Sequence, residues 1–214
     1  SIAELASMSR QRLPHFAWEY LEGGAEEELT LKRNRQAFAD ISLLPHTLVP
    51  CTAARTQRSL LGTTLPLPLA IGPTGYNGML YRDADIHLAR AATERGLPFT
   101  LSTVSTSSLE QIVAAVPEVN LWFQLYCLRA PQVQQDLLQR ATAVGCKTLL
   151  LTSDAVLLGN REWDKRNFVR PRQLSLRNTL NVLRHPRWMK QTLWPHGLPN
   201  RSEEHTSELQ SQDA

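Results

Sequence analysis

The chain has 214 residues, of which 42% are hydrophobic and 20% charged, an ordinary balance for a globular protein. A formal net charge of only +3 argues against general nucleic-acid binding, so we expect no nucleic-acid partner. Cys51, Cys127 and Cys146 are odd in number and form no C-x-x-C pair, which favours a reducing compartment and predicts no metal site. No signal-peptide pattern and no run of about 18 apolar residues is visible. We expect a cytoplasmic protein.

The N-terminal part predicts two helices and an irregular connection. The first helix spans Arg12–Leu21, with Pro14 near its first turn and a pair of glycines after its end. The second spans Ala25–Phe38, where acidic residues come first and basic residues later, as the helix dipole favours. Ile41–Leu65 has no clear period and predicts an irregular connection.

From Leu65 onward, short apolar runs alternate with amphipathic segments. The runs predict strands at Leu65–Pro73, Leu97–Ser102, Val119–Tyr126 and Lys147–Asp154, and the segments between them predict helices at Asp83–Gly96, Ser107–Val116 and Pro131–Val144. Such an alternation is typical of α/β proteins with a parallel sheet. We expect the first four β/α units of a TIM (β/α)8 barrel. A flavodoxin-like open sheet would show the same alternation and stays open at this point.

Polar residues stand where each predicted strand ends. They are Pro73-Thr74-Gly75, Ser102, Gln124 with Tyr126, and Thr152 with Asp154. The carboxyl ends of barrel strands carry the active site in this architecture. Four successive strand ends with hydrogen-bonding groups predict a planar polar ligand at the barrel mouth, although capping or turn roles would explain any one of them.

The last fourteen residues, 201–214, have no apolar period. Their first eleven, RSEEHTSELQS, are the translation of a widely used sequencing-library adaptor. We therefore expect a non-native tail and a barrel that continues in a longer natural protein. A natural disordered tail is the alternative.

Five separated motifs resemble those of the FMN-dependent α-hydroxy acid dehydrogenases and oxidases, above all the mandelate and cytochrome-type L-lactate dehydrogenases. They are RLPHFAWEYLEGGAEEELTLKRNRQAF (Arg12–Phe38), LPLAIGPTGYNGM (Leu67–Met79), TLSTVSTSSLE (Thr100–Glu110), WFQLY (Trp122–Tyr126) and LTSDAVLLGNREWDKRNF (Leu151–Phe168). The motifs occur in the family's order. The resemblance implies an FMN-linked TIM barrel, FMN as cofactor and a small 2-hydroxy acid as substrate.

The resemblance also implies roles for individual residues. The cofactor-binding residues would be Pro73, Thr74 and Gly75 beneath the flavin, and Ser102, Gln124 and Thr152 at its polar edge. Tyr20, Tyr126 and Arg161 match the substrate-binding residues, and Tyr126 and Asp154 the catalytic ones. Asp154 would orient the catalytic histidine, which the family carries beyond the fourth strand.

The histidines of the C-terminal part match no catalytic context. His185, His196 and His205 all lie outside a motif in which the family's general base would stand. We therefore predict that this polypeptide alone is inactive. A non-catalytic half-barrel with exposed strand edges, another FMN barrel such as a type 2 isopentenyl diphosphate isomerase, and an oxygen-using hydroxy acid oxidase remain alternatives.

Two positions bear on the choice within the family. Gly75 stands where oxidases usually have alanine, and Val104 where oxidases of small substrates tend to have an aromatic residue. We expect both to enlarge the pocket and to favour a bulky aromatic hydroxy acid.

The stretch Arg161–Lys190 holds nine Lys or Arg and two acidic residues, with Leu176, Leu180 and Leu183 at helical spacing. Basic segments rich in Leu and Trp favour anionic membrane surfaces, although a solvated loop is the alternative. We predict peripheral attachment to the inner face of the cell membrane, a respiratory electron acceptor and a possible homo-oligomer. The predicted division is a half-barrel domain at 1–200, with the barrel strands in 65–160 and the basic insertion in 161–200.

Overall fold

The chain begins with three helices and continues with short strands and helices. The computed structural model describes residues 1–50, 52, 55–128, 130–154, 159–170, 173–194 and 197. The tail at 201–214 lies outside these residues. The chain divides into two compact units. We call Ser1–Arg55 with Gly159–Pro186 the N-terminal unit, and Thr56–Leu158 with Arg187–Ala214 the sheet unit.

In chain order the helices are α1 (Ile2–Arg12), α2 (His15–Glu22), α3 (Leu29–Ala39), α4 (Asn77–Leu80), α5 (Ala84–Glu94), α6 (Leu109–Ala115), α7 (Pro131–Ala143), α8 (Glu162–Lys165), α9 (Leu176–Leu183) and α10 (Pro186–Trp188), followed by a π-helical segment at Met189–Leu193. The strands are β1 (Arg58–Leu60), β2 (Thr63–Leu65), β3 (Phe99–Ser102), β4 (Leu121–Tyr126), β5 (Thr148–Thr152), β6 (Phe168–Arg170) and β7 (Gln173–Leu174). Within the described ranges, no helix has the length and apolar character needed to cross a membrane.

The helices of the N-terminal unit differ from the predicted ones at their starts. The helix predicted at Arg12–Leu21 begins at His15, directly behind Pro14, whose ring fixes the backbone at the cap. The unpredicted helix α1 precedes it, stabilised by a capping box between Ser1 and Glu4.

The helix predicted from Ala25 begins only at Leu29. Glu26 and Glu28 both adopt positive φ angles, 49° and 60°. The Glu28 carboxylate accepts a hydrogen bond from the Gly24 N–H at 2.9 Å, which closes a loop. The acidic residues thus belong to this loop rather than to a helical first turn.

The sheet unit contains a parallel sheet in the order β3-β4-β5. Ile71 adds one parallel bridge to Phe99, on the edge of β3 that faces away from β4. Four successive chain segments therefore lie side by side in chain order, with helices in the connections. In a flavodoxin-like sheet the second and third strands are separated by the first, whereas here they pair directly. This order is that of a barrel; the extent of the barrel beyond these segments stays a prediction.

The prediction of a strand at Leu65–Pro73 is wrong except at Ile71, which forms the single parallel bridge to Phe99. Its beginning, Leu65, instead pairs with Arg58 in the antiparallel hairpin of β1 and β2. Leu61 and Gly62 both have positive φ in the two-residue turn, as a type I′ hairpin requires. Pro66 and Pro68 lack the N–H groups that a central strand needs, which explains the interruption. The other three predicted strands are confirmed with shorter bounds.

The core of the sheet unit lies between the sheet and helices α5, α6 and α7. Phe99, Leu101, Phe123 and Leu125 are buried there against residues such as Leu137. Because side chains alternate along a strand, Ser102 and Gln124 point to the opposite face. The helix-packed face therefore supplies the apolar core, and the other face is available for polar chemistry.

Helix α9 of the N-terminal unit has its polar and apolar faces reversed relative to an ordinary surface helix. Asn178 and Val182 are buried, whereas Leu176, Leu180 and Leu183 are 86%, 61% and 60% exposed. The Asn178 side chain donates to the backbone and side-chain oxygens of Asn167, at 3.1 and 2.7 Å. The buried amide is thus satisfied, and the leucines remain at the surface.

Candidate functional site

Three predicted cofactor-binding residues form one hydrogen-bonded row across the sheet. Ser102 pairs in register with Gln124, and Thr152 lies beside Tyr126 on the next strand. The Ser102 hydroxyl donates to Gln124 Oε1 at 3.1 Å, and Gln124 Nε2 donates to Thr152 Oγ1 at 2.9 Å. The structure therefore brings together three residues that are far apart in the chain, at the carboxyl ends of β3, β4 and β5.

The Gln124 amide is held in one orientation. Its Oε1 accepts from the Thr103 N–H at 3.2 Å as well as from Ser102. The Ser102 hydroxyl in turn accepts from the Val104 N–H at 3.2 Å, so its proton is directed toward Gln124. Among the described residues, Thr152 accepts one of the two Nε2 hydrogens, which leaves a second hydrogen that could serve a ligand.

The segment Pro73-Thr74-Gly75 follows the bridge at Ile71 and continues into α4. Pro73 and Thr74 are exposed, and Gly75 is half-buried. The N–H of Tyr76, the next residue, donates to the Val104 carbonyl at 3.1 Å. A Cβ at position 75 would lie 2.5 Å from Val104 Cγ2, so a side chain here would force Val104 to shift.

This packing changes the interpretation of Gly75 and Val104. We expected both residues to enlarge the pocket. Instead, the Val104 side chain occupies the space that a Cβ on Gly75 would need. The two positions form one packing unit, and their effects on pocket size are coupled.

Tyr126 and Asp154 lie at the ends of neighbouring strands. Tyr126 is half-buried at the end of β4, and Asp154 is exposed two residues beyond β5. Both stand at the carboxyl edge of the sheet, where the sequence places the catalytic groups. Their catalytic roles stay predictions.

Tyr20 and Arg161 are brought together in the N-terminal unit. Arg161 Nη2 donates to the Tyr20 carbonyl oxygen at 2.6 Å. The guanidinium carbon lies 5.2 Å from the centre of the Tyr20 ring, within the range of a cation–π contact. Two residues separated by most of the chain thus form a pair, and their substrate-binding roles stay predictions.

Glu19, adjacent to Tyr20, is a buried carboxylate that the sequence analysis missed. It accepts hydrogen bonds from Asn167 Nδ2 at 2.5 Å, from Arg166 Nε at 3.3 Å and from Arg166 Nη2. Partial burial and three nearby arginines lower the pKa of His15. His15 Nδ1 lies 3.4 Å from Glu19 Oε2, and the ring is therefore neutral at this contact near pH 7. Glu19 ties α2 to the segment after α8.

Asp85 and Asn77 were missed as well. Asn77 Nδ2 lies 2.7 Å from Thr74 Oγ1 and 2.8 Å from Asp85 Oδ1, directly behind the predicted cofactor segment. One signal could have revealed the acid. Asp85 shares a helix face with Ala89 and Ala92, which are both buried.

The residues of the sheet unit fit a flavin. The row of Ser102, Gln124 and Thr152 offers oriented hydrogen-bonding groups to the polar edge of a ring. Among the described residues, no group of three His, Cys, Asp or Glu is placed to hold a metal ion.

Comparison with known proteins gives a consistent result. A family model described as FMN-dependent dehydrogenase matches residues 9–214. The chain is 38% identical to (S)-mandelate dehydrogenase of Pseudomonas putida over 218 residues, covering 100% of this chain and 55% of that protein. It is 38% identical to L-lactate dehydrogenase of Xanthomonas oryzae pv. oryzae over 207 residues, covering 94% and 52% respectively.

A solved structure is similar over nearly the whole chain. The crystal structure of the monotopic membrane protein (S)-mandelate dehydrogenase matches with a TM-score of 0.88 and 37% identity, covering 99% of this chain and 57% of that one. The chain spans about half the length of the curated relatives it matches. On these matches of sequence and fold, the chain belongs to the FMN-dependent dehydrogenase family.

Proposed function

We propose that this chain is part of an FMN-dependent dehydrogenase that oxidises an L-2-hydroxy acid of the mandelate or lactate type to the 2-keto acid. The observation that carries the proposal is the hydrogen-bonded row of Ser102, Gln124 and Thr152. When bound, FMN supplies the acceptor for the hydride equivalent that leaves the substrate carbon. The row would hold the polar edge of the ring, and Pro73, Thr74 and Gly75 would lie against its face.

Arg161 and Tyr20 would bind the substrate. The planar guanidinium presents paired donors that match a carboxylate better than a lysine would. Its contacts with Tyr20 restrict its side-chain conformations, so less entropy is lost when the anion binds. Tyr126 would lie near the substrate hydroxyl.

Oxidation of a hydroxy acid also needs a base that removes a proton. The resemblance implies that this base is a histidine beyond the fourth strand, which Asp154 would orient and stabilise in its charged form. His185 matches no catalytic motif, and its Nδ1 lies 2.8 Å from the Asn181 carbonyl at the end of α9. His196 and His205 lie outside the described residues. We therefore propose that this polypeptide alone does not turn over substrate.

Flavin titration tests the cofactor part of the proposal. We expect FMN fluorescence to be quenched on binding to the purified chain. Gln124→Leu should weaken FMN binding by about tenfold, because it removes the hydrogen bonds of Gln124 to Ser102 and to Thr152. Gln135→Leu makes the same chemical change at an exposed position of α7 and serves as the control. Equal affinities of the two variants would contradict the assignment of the row.

We further propose that the surface of α9 attaches the protein to an anionic membrane. The leucines at 176, 180 and 183 are exposed, and Arg177 and Arg184 stand beside them in the sequence, a combination that suits an anionic lipid interface. The similar (S)-mandelate dehydrogenase is described as a monotopic membrane protein. Attachment to the inner face and transfer of electrons to a respiratory acceptor belong to the same proposal.

Cosedimentation with vesicles tests the attachment. We expect binding to phosphatidylglycerol-containing vesicles at low salt, and release at high salt because charge attraction is screened. Leu180→Ser should reduce binding, whereas Leu149→Ser, a matched change at an exposed leucine of β5, should not. Failure to bind at low salt would overturn the membrane proposal and leave the flavin site untouched.

A further inference from the structure

Asp85 is a buried carboxylate that the proposed reaction does not use. It lies in the first turn of α5 and is only 1% exposed. Its Oδ1 accepts from Asn77 Nδ2 at 2.8 Å, and its Oδ2 accepts from Ser105 Oγ at 2.6 Å and Thr106 Oγ1 at 3.3 Å. A buried charge is costly, and an apolar residue beside Ala89 and Ala92 would pack at lower cost.

Backbone groups set the direction of the hydrogen bonds around Asp85. The Gly78 N–H donates to Thr106 Oγ1 at 3.0 Å, and the Ser107 N–H donates to Ser105 Oγ at 3.0 Å. A backbone N–H can only donate, so both hydroxyl protons remain available to point toward Asp85. The site therefore calls for a group that only accepts, which a carboxylate does and an amide does not.

The network reaches the cofactor segment through Asn77. Its Nδ2 also donates to Thr74 Oγ1 at 2.7 Å. A second link joins the same two loops, because the Tyr76 N–H donates to the Val104 carbonyl at 3.1 Å. On the far side, the Ser105 N–H donates to the carbonyl of Ser102, the first residue of the row, at 3.0 Å. Asp85 thus stands between two segments that carry predicted flavin contacts.

We propose that Asp85 is a positioning residue of the flavin site. Acting through Asn77, Ser105 and Thr106, it sets the separation between the backbone of Thr74–Gly75 and the turn that follows Ser102. This inference rests on the proposed flavin function. It predicts that loss of the acceptor changes how the chain holds FMN by more than it changes the fold.

The test compares three variants of the full chain. Asp85→Asn keeps the shape and replaces Oδ2 by a donor, which then meets two hydroxyls that already donate toward it. Asn77→Ala removes the link to Thr74 and leaves the carboxylate with its two hydroxyl partners. Asp83→Asn is the control, since it makes the same chemical change at an exposed position two residues away, where asparagine tolerates the positive φ.

Two measurements decide the outcome. We expect Asp85→Asn and Asn77→Ala to weaken FMN binding by about tenfold and to alter the visible absorption bands of the bound flavin, with Asp83→Asn within about twofold of the unmodified chain. Hydrogen exchange at the Tyr76 and Gly78 amides should be faster in Asp85→Asn than in Asp83→Asn. Should Asp85→Asn fail to fold, Asn77→Ala alone carries both measurements.

The outcomes separate the two proposals. If the unmodified chain does not bind FMN, the proposed function fails for this chain, and hydrogen exchange alone then judges the network. Unchanged exchange at both amides in the Asp85 and Asn77 variants would overturn the positioning role. Tight FMN binding with unchanged bands in both variants would overturn it as well, with the flavin site itself intact.

Discussion

The contact between Gly75 and Val104 gives a prediction whose size follows from the structure. A Cβ at position 75 would lie 2.5 Å from Val104 Cγ2, whereas its next neighbours, the Val104 carbonyl oxygen and Cβ, are at 3.5 and 3.6 Å. Carbon atoms pack at roughly 3.5–4.0 Å, so one methyl group overlaps by about 1 Å and nothing else does. Because Gly75 does not have a positive φ, alanine meets no backbone strain there.

We therefore expect Gly75→Ala to destabilise the chain by about 1–3 kcal/mol, the usual cost of overpacking. In the Val104→Ala background the obstructing methyl is gone, and the same change should cost close to zero. The two substitutions should then couple by about 1–3 kcal/mol, the difference between these two costs. Urea unfolding of the four chains of this double-mutant cycle measures the coupling directly.

Gly72→Ala is the matched control for this cycle. It lies three residues earlier, and a Cβ there would meet no atom within 4 Å. We expect its effect to stay within about 0.5 kcal/mol in either background. Additivity of Gly75→Ala and Val104→Ala to within about 0.5 kcal/mol would refute the steric argument.

Three further predictions concern other contacts. Gly78→Ala should destabilise the chain by about 3 kcal/mol in total, at the upper end of the range for Gly75→Ala. Its Cβ would collide with the Thr106 side chain, whose hydroxyl accepts a hydrogen bond from the Gly78 N–H. Thermal unfolding measures this loss of stability. Glu19→Gln should cost about 2 kcal/mol, below the usual range for a broken buried pair because Arg166 is 57% exposed; the urea midpoint measures it. Hydrogen bonds from Arg140 lower the pKa of Glu110 to about 2, so its contribution to stability is complete above about pH 4.5 and is lost as the pH falls toward 2. Because Glu110 is 48% exposed, we expect only about 1 kcal/mol, seen as an extra loss of stability between about pH 4.5 and 2 that Glu110→Gln abolishes.

Each of these predictions has a control in the chain. Gly62 has a positive φ and Gly72 does not, so Gly72 is again the suitable glycine for comparison. Glu22→Gln changes an exposed acid of the same helix as Glu19 and should alter the urea midpoint little. Equal effects at Glu19 and Glu22 would contradict the anchoring role of Glu19. An acid-induced loss of stability that persists in Glu110→Gln would show that other carboxylates cause it.

The sequence predicted most of the sheet unit because its signals are local. Strands β3, β4 and β5 are short apolar runs, helix α7 begins at Pro131, and Gly96 and Gly145 follow the ends of α5 and α7 by two residues. The row of Ser102, Gln124 and Thr152 was predictable for a related reason. The carboxyl ends of adjacent parallel strands meet at one edge, so polar strand ends are brought together by topology.

The features that were not predicted depend on contacts between distant segments. The start of α3 is displaced because the Glu28 carboxylate binds the Gly24 N–H, and propensity alone does not show this. In the sequence, Asp85 is an acidic residue in the first turn of a predicted helix, where a negative charge interacts favourably with the helix dipole. Its burial is caused by Ser105 and Thr106 on a different loop. The coupling of Gly75 with Val104 likewise appears only when both segments are folded.

The fixed orientation of Gln124 bears on which ring systems can dock. Oε1 accepts hydrogen bonds from the Ser102 hydroxyl and the Thr103 N–H, so rotation of the amide would replace this acceptor by an NH2 group facing the same two donors. Gln124 accordingly presents an N–H donor at this edge of the sheet rather than an acceptor. A heterocycle with a carbonyl at this point would accept that hydrogen bond, whereas a synthetic analogue with an amino group in its place would present a second donor and bind more weakly.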